Sequence, residues 1–197
     1  NAEFSSIRYY QDAVIKELNT IKNIPDSYGE FGGLKIYTNL NIDAQKILEE
    51  AVKNNLTKED DIQTSAVMMN PNNGEVIALI GGVNYVKSQY NRATTSKRQV
   101  GSTMKPFLYY SALESGFTSA SSFTSEKTTF TFSNDKTYTP KNYNDKYAEG
   151  PISMGAAIAY SDNIYAVKTN LFLGEDMLVN MASRVGISDE LQAIPSL

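Results

Sequence analysis

A serine and a lysine three residues apart are the residues of this chain best suited to nucleophilic chemistry. Ser102 and Lys105 lie within Gly101–Pro106, just ahead of apolar residues that recur at helical spacing. Residues at i and i+3 share a helix face, so the lysine amine can reach the serine hydroxyl and take its proton. The 197-residue chain contains no histidine and no cysteine. Ser-His-Asp, Cys-His and His-metal chemistry are therefore excluded, and we expect no cofactor and no metal.

The Ser-x-x-Lys spacing is weak evidence when taken alone, because a chain of this length holds about one such match by chance. A second match, Ser133 to Lys136, lies between two alternating segments in a cluster of Ser, Asn and Asp that is typical of a hairpin turn. We interpret that copy as turn chemistry. For Ser102 the spacing leaves two interpretations open, a nucleophile or a helix-capping serine beside a solvated lysine.

A second polar triplet, Ser161-Asp162-Asn163, is the only Ser-x-Asn in the sequence. It precedes an apolar helix that we predict over Ile164 to Leu173. A Ser, Asp or Asn at this place is also a common helix cap. The triplet by itself therefore fits a structural cap as well as a site.

The neighbouring segments resemble the class A, bifunctional penicillin-binding proteins over most of the chain. Ser-x-x-Lys and Ser-Asp-Asn are two of the three catalytic motifs of penicillin-binding proteins and class A β-lactamases. The segments that carry the rest of the resemblance are Gly32–Thr38, Asn41–Gln45, Asn70–Ala78, Gly81-Gly82, Asn91–Ala93, Arg98–Ser102 and Tyr138–Tyr143. The resemblance implies an α+β chain, part of a penicillin-binding-protein/β-lactamase-like transpeptidase fold, with mostly helices and an incomplete antiparallel sheet.

The same resemblance implies a bacterial D,D-transpeptidase that cross-links peptidoglycan stem peptides through a serine acyl-enzyme. Ser102 would be the nucleophile, Lys105 its general base, Ser161 a proton relay and Asn163 the group that holds the substrate amide. β-Lactams would acylate the same serine, which makes such a protein an antibiotic target. The sequence supports Lys105 as a base independently, since the positive end of a helix dipole disfavours a protonated amine.

The third motif of this family, Lys-Thr-Gly or Lys-Ser-Gly, is absent from the sequence. The resemblance implies that its strand supplies an oxyanion-hole N–H, whose loss costs about 10²–10³ in rate. We interpret the chain as truncated before that strand and expect weak activity or none from it. The predicted division is a candidate expression scar at 1–2, a linker module over 3–62 and the N-terminal portion of the transpeptidase domain over 63–197.

Composition limits the partners. A net charge of −4 and a pI near 5.0 argue against nucleic acid. No apolar run approaches the ~20 residues that span a bilayer, so we expect extracytoplasmic membrane anchoring only through parts outside this chain.

An open sheet edge would favour self-association. The sheet residues expected to lack cover are Val67, Met69, Val76 and Ala78. A group of basic residues precedes Ser102 in sequence. We interpret it either as a solvated loop or as a site that attracts carboxylated peptides. Its members are Lys87, Arg92, Lys97 and Arg98.

Periodicity and turn residues predict the elements that must position these motifs. Helices are expected over Ile7–Ile21 (ended by Asn23 and Pro25), Asp43–Lys53, Met154–Leu173 with a break at the Ser-Asp-Asn triplet, and Asp176–Val185. Strands are expected over Leu34–Leu40, Thr64–Met69 and Glu75–Ile80. The polar segment from Phe117 to Gly150, with one hairpin, is either a wall of the cleft or an ordinary surface loop.

Two other functions stay open at this point. A β-lactamase or β-lactam sensor shares both motifs, but a class A β-lactamase also needs a Glu-x-x-x-Asn run to activate water, and neither Glu175 nor Glu190 fits that pattern. A catalytically inert scaffold is the third hypothesis. It would have been free to lose the four motif side chains, and all four are present.

Overall fold

The computed structural model describes residues 7–22, 34–56, 62–132 and 135–194. The chain divides into two compact units, residues 1–98 and 99–197, and each is considered by itself. None of the described helices has the length and apolarity needed to cross a membrane.

The described residues of the N-terminal unit form three helices and a two-stranded antiparallel sheet. The elements are α1 (Ile7–Leu18), α2 (Ile42–Asn55), β1 (Ala66–Met69), β2 (Val76–Ile80) and α3 (Arg92–Thr95). Tyr9 and Tyr10 of α1 pack with Leu79 of β2 and with Tyr85. The Asn41 side chain begins α2 by accepting a hydrogen bond from the Ala44 amide at 2.9 Å. The predicted helices and the β1–β2 hairpin of this unit are confirmed.

The strand predicted over Leu34 to Leu40 is wrong. These residues take up no regular structure, and the Tyr37 side chain is 90% exposed. The segment's C-terminal end meets β2 through the Asn41 amide, which donates to the Ile77 carbonyl at 2.8 Å. Alternating apolar residues form a strand only where a neighbouring strand accepts and donates along the ladder. The residues of earlier expectations that lie outside the described ranges are Asn23, Pro25, Gly32-Gly33, Ser133 and the scar at 1–2.

The exposed face of β1 partly matches the expectation of missing cover. Val67 is 46% exposed and Met69 is 54% exposed. Ala78 of β2, expected to lack cover, is instead fully buried. That expectation is wrong for Ala78 because α2 and α1 pack against β2. Self-association through a sheet edge stays a prediction.

The C-terminal unit carries the four candidate site residues. Its elements are a 3₁₀ turn (Gly101–Met104), α4 (Lys105–Glu114), β3 (Ser122–Ser125), β4 (Phe130–Thr131), β5 (Thr137–Tyr138), a 3₁₀ turn (Tyr143–Asp145), β6 (Gly150–Ser153), α5 (Met154–Tyr160), α6 (Asn163–Leu173) and α7 (Glu175–Arg184). Pro106 lies in the first turn of α4, where its missing N–H costs no helical bond. Leu108 of α4 is fully buried against Ala166 of α6 and Leu178 of α7. Such burial contributes about 2 kcal/mol per leucine and fixes α4 against α6.

The segment between Phe117 and Gly150 is more ordered than the sequence predicts. The expected hairpin is present, with Phe130 opposite Tyr138. A second antiparallel pair, β3 with β6, was missed; its register runs from Ser122–Ser153 to Ser125–Gly150. It ties both ends of the segment to one another. We call residues 117–150 the excursion.

Candidate active site

The four predicted side chains meet where α4 begins and where α5 gives way to α6. Lys105 Nζ donates to Ser161 Oγ at 2.9 Å and to Asn163 Oδ1 at 2.6 Å. Ser161 Oγ donates to Ser102 Oγ at 3.2 Å. The two motifs lie nearly 60 residues apart in sequence, so packing of α4 on α6 creates this arrangement.

Lys105 is a buried amine with a complete set of partners. Its side chain is only 6% exposed, and Nζ also donates to the Ser161 carbonyl at 2.7 Å. Burial lowers the pKa of Lys105, and the negative charge of Asp162 opposes that shift. The sequence predicts a lowered Lys105 pKa from the helix dipole, whereas the structure shows that desolvation is the main cause.

The partners of Lys105 define how a neutral amine would bind. The Ser161 carbonyl and the Asn163 side-chain oxygen can only accept hydrogen bonds, so they take the two N–H groups of the neutral form. The Ser161 hydroxyl can accept or donate. The lone pair of a neutral Lys105 therefore faces the Ser161 hydroxyl, which is the geometry of a base.

The route from Lys105 to Ser102 passes through Ser161. Sequence spacing suggested direct contact, but Ser102 lies in the 3₁₀ turn ahead of α4. The Ser102 side chain is exposed, as a nucleophile must be, and makes no capping hydrogen bond to the turn or to α4. The alternative of a capping serine beside a solvated lysine is therefore wrong.

Ser161 adopts a backbone conformation that is costly for a residue with a side chain. Its φ of 52° and ψ of 45° place it in the left-handed region, and it ends α5 by donating its amide to the Ile158 carbonyl. Such a conformation costs of order 1–3 kcal/mol and persists where surrounding contacts impose it. It turns both the carbonyl and the hydroxyl of Ser161 toward Lys105.

Asp162 supplies those surrounding contacts. Asp162 is 5% exposed, and its carboxylate caps α6 by accepting from the Tyr165 amide at 2.7 Å. It also accepts from Ser125 Oγ at 2.5 Å and from Asn142 Nδ2 at 2.6 Å. The helix-cap interpretation of the triplet is thus correct for Asp162, while Ser161 and Asn163 face Lys105.

The excursion contributes side chains that sequence reasoning did not single out. The Lys141 carbonyl accepts from Asn163 Nδ2 at 2.7 Å, and Asn142 Oδ1 accepts from the Asn163 amide at 2.7 Å. Tyr138 lines a pocket of about 190 Å³. The other lining residues are Gly101, Ser102, Lys105, Asn163, Ala166 and Val167. This arrangement favours the wall-of-the-cleft interpretation of the excursion over the surface-loop one.

The sequence did carry a signal for Tyr138, Lys141 and Asn142, but this signal was not specific to a functional site. Tyr138 to Tyr143 is one of the segments that carry the family resemblance. Asparagine is common in polar loops because its side chain favours turns, so a single one there does not indicate a site. Ser125 had no signal at all, since it is one of several serines in the excursion.

Comparison with known proteins defines the class of protein. The family model described as "Penicillin binding protein transpeptidase domain" matches residues 64–193, well over half of the chain. The chain therefore belongs to the penicillin-binding protein transpeptidase family. The predicted boundary at 62/63 between linker module and domain stays a prediction.

Particular relatives agree with this family. Penicillin-binding protein 2D of Bacillus subtilis is 44% identical over 190 residues, which is 96% of this chain and 28% of that protein. Penicillin-binding protein 1A of Vibrio cholerae is 39% identical over 132 residues, covering 66% of this chain and 16% of that protein. The crystal structure of penicillin-binding protein 1A from Haemophilus influenzae superimposes with a TM-score of 0.63 at 36% identity, covering 68% of this chain and 20% of that one. The chain thus spans less than a third of the length of these relatives, all of them bacterial.

Proposed function

We propose that the protein is a D,D-transpeptidase that cross-links peptidoglycan stem peptides through an acyl-enzyme on Ser102 and that β-lactams acylate the same serine. The observation that carries the proposal is the hydrogen-bonded path from exposed Ser102 through Ser161 to the buried Lys105 amine. Membership of the transpeptidase family supports the substrate class.

The first half-reaction follows from that path. Hydroxyl hydrogens rotate freely, so Ser102 can donate to Ser161 while Ser161 donates to Lys105. As Ser102 Oγ attacks the carbonyl of the penultimate D-Ala, its proton passes to Ser161, and the Ser161 proton passes to Lys105. The peptide C–N bond then breaks, and the proton held by Lys105 returns through Ser161 to the amine of the departing D-Ala.

The second half-reaction runs over the same groups. The amine of a neighbouring stem peptide attacks the Ser102 ester, and Lys105 takes its proton through Ser161. The ester C–O bond breaks, Ser102 regains a hydrogen, and a new peptide bond joins the two stems. Lys105 thus acts as base and acid in turn, which suits an amine whose pKa is lowered toward the working pH.

Asn163 is proposed to hold the substrate amide. Its side-chain oxygen is bound by Lys105, and one hydrogen of its Nδ2 group goes to the Lys141 carbonyl. These two contacts fix which end of the amide is the donor. The second Nδ2 hydrogen then remains for a substrate carbonyl.

The proposed setting is the outer face of a bacterial cytoplasmic membrane. Stem peptides and β-lactams are both present at that face, and the relatives named above are bacterial. Anchoring through segments other than the described helices belongs to the same proposal.

A β-lactamase is the second candidate because it would share both motifs. A class A enzyme needs a carboxylate to activate the deacylating water. Among the described residues that line the pocket none is acidic, and the nearby Asp162 carboxylate already accepts from three donors. This observation favours slow hydrolysis and hence the transpeptidase.

One experiment separates these functions. The intact protein is incubated with a fluorescent penicillin, and separately with a stem peptide ending in D-Ala-D-Ala plus an acceptor amine. A transpeptidase gives a long-lived adduct by intact-mass spectrometry and releases D-Ala with the acceptor. Hydrolysed penicillin with a transient adduct would indicate a β-lactamase, and no adduct would indicate a scaffold. The same assay on residues 1–197 alone tests the expectation of weak activity or none.

A further inference from the structure

Asn142 is the one described residue of the excursion whose side chain joins two parts of the Ser161-Asp162-Asn163 triplet. Its Oδ1 accepts from the Asn163 backbone amide at 2.7 Å, and its Nδ2 donates to Asp162 Oδ2 at 2.6 Å. A flipped amide would place a carbonyl against the carboxylate and an NH₂ group against an N–H. Both contacts therefore require an asparagine in this orientation.

The partners of Asn142 control the geometry around Lys105. Asp162 begins α6 through the Tyr165 amide, and Asn163 is the residue whose oxygen binds Lys105. Between Asp162 and α5 lies Ser161 in its left-handed conformation, which holds only while its neighbours are fixed. Moving the start of α6 would shift the three acceptors of Lys105, which are the Ser161 carbonyl, the Ser161 hydroxyl and Asn163 Oδ1.

We propose that Asn142 is a positioning residue for the Ser102 nucleophile: by holding the Asp162 carboxylate and the Asn163 amide, it fixes the start of α6 so that Ser161 and Asn163 meet the Lys105 amine. The proposal rests on the proposed function for its kinetic consequence. Its structural consequence, order at the triplet, is independent of that function.

An Asn142→Asp variant tests this role with a change of almost no volume. It keeps an acceptor for the Asn163 amide but sets a second carboxylate against Asp162 at hydrogen-bond distance. Two carboxylates this close disfavour double ionisation, so the pair shares one proton at low pH and repels once that proton is lost at higher pH. The defect of the variant should therefore grow as the pH rises.

Other charged and titratable groups around Asp162 set the background for that pH dependence. From α4 they are Lys105 and the Tyr109 hydroxyl, both coupled electrostatically to Asp162. From α6 the Tyr165 hydroxyl acts on Tyr109 and donates to the Ser121 carbonyl, and β3 contributes the neutral Ser125 hydroxyl, which donates to Asp162. Next to Asn142, the Lys141 ammonium lies 3.8 Å from Asp145, and both side chains are exposed. A control variant retains all of these groups. Their contribution to the pH dependence therefore cancels when the acylation rate of Asn142→Asp is compared with that of the control.

The matched control is Asn144→Asp. Asn144 lies in the 3₁₀ turn that begins directly after Asn142, is exposed and has a left-handed φ of 54°, which Asp tolerates. The substitution adds the same negative charge two residues from Asn142, away from the hydrogen bonds that Asn142 makes with Asp162 and Asn163. Comparing the two variants therefore separates the loss of the Asn142 hydrogen bonds from the effect of added charge.

The experiment uses the intact protein in three forms: unchanged, Asn142→Asp and Asn144→Asp. Penicillin acylation rates are measured from about pH 6 to about pH 8.5, and hydrogen exchange is followed by mass spectrometry in peptides covering 161–166 and 175–184. We expect Asn142→Asp to acylate about 100-fold more slowly than the control at the upper end of that range, the size that misplacement by about 1 Å can produce. That ratio should fall about tenfold at the lower end as the carboxylate pair gains its proton. Faster exchange is expected over 161–166 and not over α7.

Three results would overturn the inference. The first is a rate and an exchange pattern equal to those of Asn144→Asp. The second is a defect of the same size at every pH, and the third is exchange that rises as much over 175–184 as over 161–166, which would indicate general destabilisation. If the unchanged protein takes no penicillin at all, the proposed function fails, and local exchange over 161–166 alone decides whether Asn142 positions the triplet.

Discussion

Two buried polar side chains, one in each unit, show what distinguishes a structural network from a site. Gln45 in the N-terminal unit is 1% exposed, and its amide takes the place of a strand neighbour for Leu79: Oε1 accepts from the Leu79 amide at 2.9 Å and Nε2 donates to the Leu79 carbonyl at 3.1 Å. Its second Nε2 hydrogen goes to Glu49. Lys105 in the C-terminal unit is also buried, with three partners within 2.9 Å.

The two networks differ in the hydrogen-bonding roles open to the partner groups. The Leu79 amide and carbonyl that bind Gln45 are backbone groups with one fixed role each, so the Gln45 network has a single state. One partner of Lys105 is the Ser161 hydroxyl, which can reverse its role and which touches exposed Ser102. Burial and full satisfaction are thus common to both networks. A reversible link from the buried group to an accessible atom marks the site.

The largest effect on the difference between the two networks is expected from Ser102→Ala in the intact protein. This substitution removes the accessible end of the path from Lys105 through Ser161 to Ser102, so covalent penicillin binding should disappear while the fold remains. Intact-mass spectrometry measures the adduct. Ser133→Ala, at the other Ser-x-x-Lys, is the control and should label normally. An adduct of unchanged yield on Ser102→Ala would rule Ser102 out as the nucleophile.

The next largest effect is expected for Lys105→Arg. A guanidinium stays protonated in proteins, so it can donate to the Ser161 and Asn163 oxygens but cannot accept the proton of Ser161. Loss of a general base costs about 10²–10⁴ in rate. Stopped-flow acylation by a chromogenic penicillin gives the number. Lys168→Arg is the matched control, because Lys168 is a partly buried lysine that, like Lys105, donates to a backbone carbonyl, here that of Thr124.

A Lys105→Arg protein that acylates within about threefold of the Lys168→Arg protein would show that Lys105 is not the base. The site would then resemble the Gln45 network, satisfied and static.

Sequence reasoning predicted the parts of the fold whose signal is local and repeated. The apolar runs of α2, α6 and α7 and the two strands β1 and β2 are of this kind. The β3–β6 pair was missed because Ser122–Ser125 and Gly150–Ser153 carry one large apolar residue each, too few for a visible alternation. The 34–40 segment had the alternation but lacked a partner strand.

The site divides along the same line. Ser102, Lys105, Ser161 and Asn163 were named from motif spacing, and the structure brings them together; their catalytic roles stay predictions. Asn142 and Ser125 could not have been picked out, since their importance depends on which residues of the Ser161-Asp162-Asn163 triplet they reach across long sequence separations. Loop polar residues carry no periodic pattern that would reveal such contacts.

A smaller effect is expected on the pH dependence of acylation. Because burial lowers the Lys105 pKa from its ordinary 10.5, the acylation rate should rise with pH to a midpoint below 10.5. The sign for stability follows from the same shift. Between the lowered pKa and 10.5 the unfolded chain holds a proton that the folded protein has lost, so the free energy of unfolding increases with pH across that window. Acylation rates and denaturation midpoints measured from about pH 6 to about pH 11 check both, and a rate midpoint at or above 10.5 would contradict the base assignment.

The smallest effect concerns the static network and should leave chemistry untouched. Gln45→Ala removes the partner of both Leu79 backbone groups, which stay buried and unpaired at a cost of about 1–3 kcal/mol. We expect faster hydrogen exchange in the peptide covering 76–80 and a lower denaturation midpoint, with an unchanged penicillin acylation rate in the folded protein. Gln11→Ala, at an exposed position of α1, should change neither. If Gln45→Ala slowed acylation as strongly as it loosened β2, burial of a satisfied amide would be coupled to the reaction after all, and a reversible partner would no longer be what separates the two networks.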